Sequence, residues 1–262
     1  MGHLKALAKD LGVANNFSGT EIIKKIIQTN PNDKIVDKFI RDGYWQKVRA
    51  RKNLISDENL MQELLKVKSF SWGVVQGQLD QKIQSEYVRR IARYDELLKS
   101  VKANLHDEVT NYVICTWFNH WTTVLIEEHI STHPRVIPTI KPVKGIDIFF
   151  DGQPFDLKVT YPREYISKYG IDKALIDNQH LAIWMYENQG AQRFGSDNRL
   201  FVVLVDKENP DKSWELKRNF DLVFKKIDNF FDKVAVSKKD EIVFTFAKKT
   251  YTAVSKALII TK

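Results

Sequence analysis

The sequence predicts an α/β protein with a mainly helical N-terminal region. Three observations carry that reading. Apolar residues recur at helical spacing over roughly the first hundred residues, Asp151-Gly152 marks a tight hairpin between apolar runs, and later short apolar strands alternate with helices. The chain has 262 residues, 43% hydrophobic and 28% charged, enough for a sizeable buried core. With 11% aromatic residues and no repetitive or Gly/Pro-rich tract, disorder is excluded as the dominant state. The single cysteine, Cys115, excludes a disulfide framework and a multi-cysteine zinc site. There is no apolar run of membrane-spanning length and no apolar signal segment after Met1, so the expectation is a soluble, cytoplasmic protein without a membrane partner.

The elements follow in order. Leu4–Gly12 and Ser18–Ile27 read as two short helices, with Ser18 and Glu21 at capping-box spacing. This basic helical pair resembles the small SAP-like or Rho-N-like helical DNA-binding modules. Residues 32–102 continue in helical character and carry Lys47, Arg49 and Arg51 beside Tyr44 and Trp45, then Gln76 and Gln78, then Arg89. Basic and amide side chains interleaved with aromatics suit phosphate and base-edge contact together. A boundary is set here, giving a helical DNA-binding region over 1–102 and an α/β domain over 103–262. A densely apolar helix spans about Asp107–His129 and is ended by Pro134 and Pro138. After it come the hairpin, a helical stretch, a strand near Leu200–Val205, a helix over roughly Trp214–Asp232, and strands near Ile242–Phe246 and Ala257–Thr261.

Charge is distributed unevenly. Residues 1–100 hold 18 basic against 12 acidic side chains, residues 101–200 hold 10 against 12, and residues 201–262 hold 13 against 9. Basic ends around a mildly acidic middle suit a polyanion-binding protein whose acidic centre has its own use.

That centre is the passage Lys144–Thr160. If Asp151-Gly152 is a two-residue type I′ loop, Phe150 pairs with Gln153, Phe149 with Pro154, Ile148 with Phe155, and Asp147 with Asp156. Pro154 then falls in a non-hydrogen-bonded pair, where its missing N–H costs nothing. Lys158 shares the face of Asp156, opposite Gly145, which leaves it room. Two facing carboxylates repel, and a hard divalent cation, Mg²⁺, would relieve that cost.

Asp, eight residues, then Asp-x-Lys on a hairpin after a helix resembles the PD-(D/E)xK nuclease superfamily, which includes most type II restriction endonucleases. The resemblance covers roughly residues 107–206, with Ile146 where the motif's name has proline. It implies a restriction-endonuclease-like core, a mixed β-sheet flanked by helices. It also implies that Asp147 and Asp156 hold metal and that Lys158 positions the attacking water. An acidic residue from the preceding helix joins them, Glu127 or Glu128, with Glu128 favoured. The implied activity is site-specific cleavage of double-stranded DNA, suited to a homodimer. A repair, recombination or mobile-element nuclease, or a DNA-binding protein that does not cleave, are the alternatives. Sequence reading by such an enzyme is assigned to Gln192, Arg193, Asn198 and Arg199 in the polar loop after residue 187. The histidines near the end of the long helix, among them His129 and His133, lack a zinc-site arrangement and are expected at an interface.

Overall fold

A computed structural model describes residues 2–68, 76–190 and 194–262; of Gln76 and Gln78 only the backbone is described. The chain divides into two compact units, Met1–Leu54 with Glu127–Lys262, and Ile55–Ile126. This division does not coincide with a boundary at residues 102–103.

The first unit opens with α1 (Gly2–Asp10) and α2 (Gly19–Gln28). The Ser18–Glu21 capping box forms as the spacing predicts. Leu7, Ala8, Ile22 and Ile26 bury each other, with Phe39 of α3 (Asp33–Lys52) packed against them. The second unit contains α4 (Asp57–Leu65), α5 (Gln76–Lys82) with its π-helical extension Ile83–Val88, and α6 (Tyr94–Asn104). Its small core is Leu79, Tyr87 and Leu105. The 27-residue α7 (His106–Thr132) begins in this unit and ends in the first. Among the described residues no helix is long and apolar enough to cross a membrane.

The sheet follows: β1 (Val136–Val143), β2 (Ile146–Phe150), β3 (Gln153–Thr160), then α8 (Arg163–Ile176, kinked at Gly170) and α9 (Asn178–Glu187). Next come β4 (Arg199–Val205), a 3-10 stretch Pro210–Arg218, α10 (Phe220–Lys233), β5 (Glu241–Phe246) and β6 (Lys249–Thr261). The six strands lie in the order β1-β2-β3-β4-β6-β5. β1, β2 and β3 are antiparallel, β3 and β6 run parallel to β4, and β5 is antiparallel to β6. The protein is thus α/β with a mixed sheet. Every residue of β4 is buried, the pattern of a central strand covered on both faces. On one face Phe201, Val203 and Val205 pack with Leu181, Ala182 and Tyr186 of α9 and Tyr165 of α8. Near the other, α10 buries Phe220, Val223, Ile227 and Phe231, and Phe231 meets Phe150 edge-on at 4.8 Å.

Three expectations need correction. β1 is absent from the sequence reading because Pro138 is taken there only as ending the long helix; as an edge strand paired with β2, it can hold a proline. The helix expected over Trp214–Asp232 is interrupted, and Asn219 starts α10 by accepting the Leu222 N–H at 3.4 Å. The last strand begins at Lys249, well before Ala257.

β6 changes partner along its length: Lys249–Val254 pair with β5, and Ser255–Thr261 pair with β4. The β5–β6 turn is Ala247-Lys248, both left-handed at φ 49° and 65°. Left-handed backbone costs an L-residue about 1–2 kcal/mol, whereas Asn-Gly accepts it readily. Ala247→Asn combined with Lys248→Gly is therefore expected to raise stability by about 1–2 kcal/mol, read as an upward shift of the thermal midpoint.

Candidate functional site

The hairpin forms in the expected register. Asp151 and Gly152 take φ 49° and 76°, and Phe150, Phe149 and Ile148 face Gln153, Pro154 and Phe155. One step further along lie Asp147 and Asp156. In β3 the register with β4 sets Asp156 beside Arg199 and Lys158 beside Phe201, which places both on the sheet face covered by α9.

Each acidic group is held by different means. Asp147 Oδ2 accepts the backbone N–H of Leu157 at 2.8 Å. Its carboxyl is nevertheless raised above the usual range, first by burial and then by the Asp156 carboxylate; the Leu157 N–H and Lys158 oppose the rise. Asp156 is more enclosed, with 13% of its side chain exposed. Lys158 Nζ lies 2.7 Å from Asp156 Oδ1, and Arg199 Nε lies 3.3 Å from Oδ2. The Asp156 N–H donates to the carbonyl of Asn198 at 2.9 Å, so the strand carrying the carboxylate is anchored directly to the start of β4.

The helical acid facing this pair is Glu127, not Glu128. Arg51 of α3 grips Glu128 through one edge of its guanidinium, Nε donating to Oε1 at 3.1 Å and Nη2 to Oε2. The pair is largely buried, with side chains 10% and 16% exposed. Tyr44, two turns earlier on α3, bonds Ser131 on α7, and burial pushes its hydroxyl up to about 12. With Glu128 turned to α3, the adjacent position, about 100° round the helix, is Glu127. Burial, then the Asp147 carboxylate, raises the Glu127 carboxyl to about 7, against the pull of Lys158 and Lys47.

The residues assigned to nucleic acid divide into several groups. Lys47, Arg49 and Arg89 are exposed. Arg51 is engaged by Glu128, so its assignment to DNA is replaced by one that joins α3 to α7. Arg199 is 8% exposed and cannot reach a base edge. Besides Asp156 it contacts Gln189, whose Oε1 accepts from Nη1 at 2.7 Å, and the Tyr186 ring, 5.1 Å from Cζ. The Asn198 side chain accepts the Val254 N–H at 2.8 Å, which ties it to the sheet. Gln192 and Arg193 lie outside the described residues, as do the side chains of Gln76 and Gln78.

Gly145 also has a different neighbour from the one expected. At φ +73°, a Cβ there would stand 2.6 Å from the Asp197 carboxylate, so the glycine admits Asp197 rather than making room for Lys158. The Asp197 carbonyl in turn accepts the buried Tyr186 hydroxyl at 2.7 Å. The histidines clasp α7 to α10: His129 Nε2 is 2.8 Å from Asp228 Oδ1 and stacks on Phe224, and His133 Nε2 is 3.2 Å from Asp232 Oδ1. Among the described residues, no group of three or more His, Cys, Asp or Glu side chains gathers as a metal site. No protein-family model, curated protein or solved structure matches the chain.

Proposed function

We propose that the chain is a Mg²⁺-dependent endonuclease acting on double-stranded DNA, of the restriction-enzyme kind. The observation that carries the reading is the juxtaposition of Asp147 and Asp156 across one tight hairpin with the Lys158 ammonium 2.7 Å from Asp156. The hairpin follows α7 in the chain and is joined through β3 to the parallel strand β4. The donor chemistry fits a hard divalent ion. Asp147 and Asp156 would supply oxygen ligands, and a cation there would offset the charge of an Asp147 carboxyl that is raised first by burial and then by Asp156. Bound there, the ion would polarise a phosphodiester and increase the acidity of water.

The chain's own groups set the rest of the site. Lys158, 46% exposed, keeps N–H donors free for a phosphate oxygen while one is spent on Asp156. Asp156 fixes that ammonium in place. Lys47 and Arg49, exposed on α3, offer charge to backbone phosphates and so set affinity rather than sequence. One such centre per chain cuts one strand, so a break in both at a symmetric site calls for two copies related by a twofold axis.

A second reading, a DNA-binding protein that does not cleave, draws on the same carboxylate. Asp156 is already bracketed by Lys158 and Arg199, two cations that satisfy it without metal. Incubation with supercoiled plasmid separates the readings. Discrete fragments with Mg²⁺ and none with chelator are expected. A smear or branch-dependent cutting indicates a repair or recombination nuclease, and retarded but intact DNA indicates the binder.

A further inference from the structure

We propose that Arg199 is a positioning residue that couples the loop before β4 to the Asp156 carboxylate, with Gln189 as its second anchor. The inference rests on the nuclease reading for its kinetic consequence but not for its structural one.

The loop carries the sequence pattern of a base-reading segment, yet its described polar groups turn inward. Gln189 makes three contacts: its Oε1 accepts from Arg199 Nη1 at 2.7 Å and from the Gly195 N–H at 3.4 Å, and its Nε2 donates to the Gly195 carbonyl at 3.3 Å. The amide therefore joins residue 189 to Gly195 and attaches both to the guanidinium. A Cβ at Gly195 would meet Arg199 Nη2 at 3.1 Å, so the backbone passes close against the same group. From the other side the guanidinium reaches Asp156, with Nε 3.3 Å from Oδ2. That Nε is buried and makes no hydrogen bond among the described residues, although the carboxylate oxygen is its nearest ionic partner. Tyr186 forms the floor beneath it, its ring 5.1 Å from Cζ.

A charged group so enclosed stays because its partners compensate for its burial. A planar fork is what this position needs, since one edge must hold an amide on the loop while another faces a carboxylate on the neighbouring strand. Lysine carries the charge but has a single nitrogen, which cannot span both. Because both partners are held by one rigid group, movement of the loop is transmitted to the orientation of Asp156. A displacement of Gln189 or Gly195 and the pose of the Asp156 carboxylate thus become one event.

The test uses the full chain with three variants, Arg199→Lys, Gln189→Leu and Asp156→Asn, after circular dichroism shows that each is folded. In ¹⁵N-detected NMR the Arg199 Nε–H is expected as a slowly exchanging signal that shifts in both Asp156→Asn and Gln189→Leu. A signal indifferent to either variant, or exchanging as fast as a surface arginine, refutes the coupling whether or not the protein cuts DNA. In plasmid cleavage with Mg²⁺, Gln189→Leu and Arg199→Lys are expected to lose kcat by roughly 10–100-fold with KM for DNA unchanged, the usual cost of losing a group that orients a metal-binding carboxylate. A rise in KM with kcat intact returns Arg199 and Gln189 to the role of DNA contacts and overturns the proposal. A wild-type chain that leaves DNA uncut, with the NMR coupling present, refutes the nuclease reading alone.

Discussion

Asp156→Asn is expected to lower DNA cleavage by about three orders of magnitude, the scale on which loss of one well-placed electrostatic contact acts, while retardation of the same DNA on a gel persists. Asparagine is the appropriate replacement because of what stands behind the residue. The Arg199 side chain is 9% exposed and depends on Asp156 for its only carboxylate among the described ion pairs. Alanine would leave that cation uncompensated, at a cost of roughly 3–5 kcal/mol, and confuse loss of chemistry with loss of fold. Asparagine keeps an oxygen toward the guanidinium and removes the charge that a divalent ion needs. Cleavage that survives in the folded variant would place the reacting centre elsewhere.

The second large effect concerns pH. Glu127 titrates at about 7 in the folded protein, against 4.5 for an unperturbed glutamate, because it is buried beside Asp147. A carboxyl whose folded value is raised favours the native state in its neutral form. Its contribution is complete below pH 4.5 and declines as pH rises through 7. The span corresponds to about 3 kcal/mol at 1.36 kcal/mol per pH unit. Unfolding in urea without divalent ions should therefore show stability falling between pH 5 and 8 for the wild type, and a flatter profile for Glu127→Gln, which should be the more stable of the two at pH 8. Identical slopes would mean that Glu127 is ionised without penalty and does not share the field of Asp147.

What the sequence made legible was local. The Asp-Gly turn, the tolerance for Pro154 and the alternation of apolar residues define one register, and the strands adopt it. The Ser18 capping box is equally self-contained. The choice between Glu127 and Glu128 is of another kind, because helix phase depends on which neighbour packs alongside. Arg51, 77 positions away in sequence, decides it. Arg199 looked like a base reader because an arginine in a polar loop has that pattern, and only the parallel pairing of β3 with β4 reveals its burial. β1 was hidden because prolines break interior strands and the chain does not announce which strand will be outermost. The Ala247-Lys248 turn carries no glycine or asparagine to signal its left-handed backbone.

The point at which β6 changes partner bears on how the centre of the sheet is held together. At Val254 the ladder to β5 ends, and at Ser255 the ladder to β4 begins. The junction is closed by side chains as well as by strand pairing: Asn198 Oδ1 accepts the Val254 N–H, and Ser255 Oγ donates to the Arg199 carbonyl. Amide exchange at Val254 should therefore be as slow as along both flanking ladders, and Asn198→Ala should quicken it there first. The seam is thereby fastened beside Arg199, in the part of the sheet that holds Asp156 in its pose.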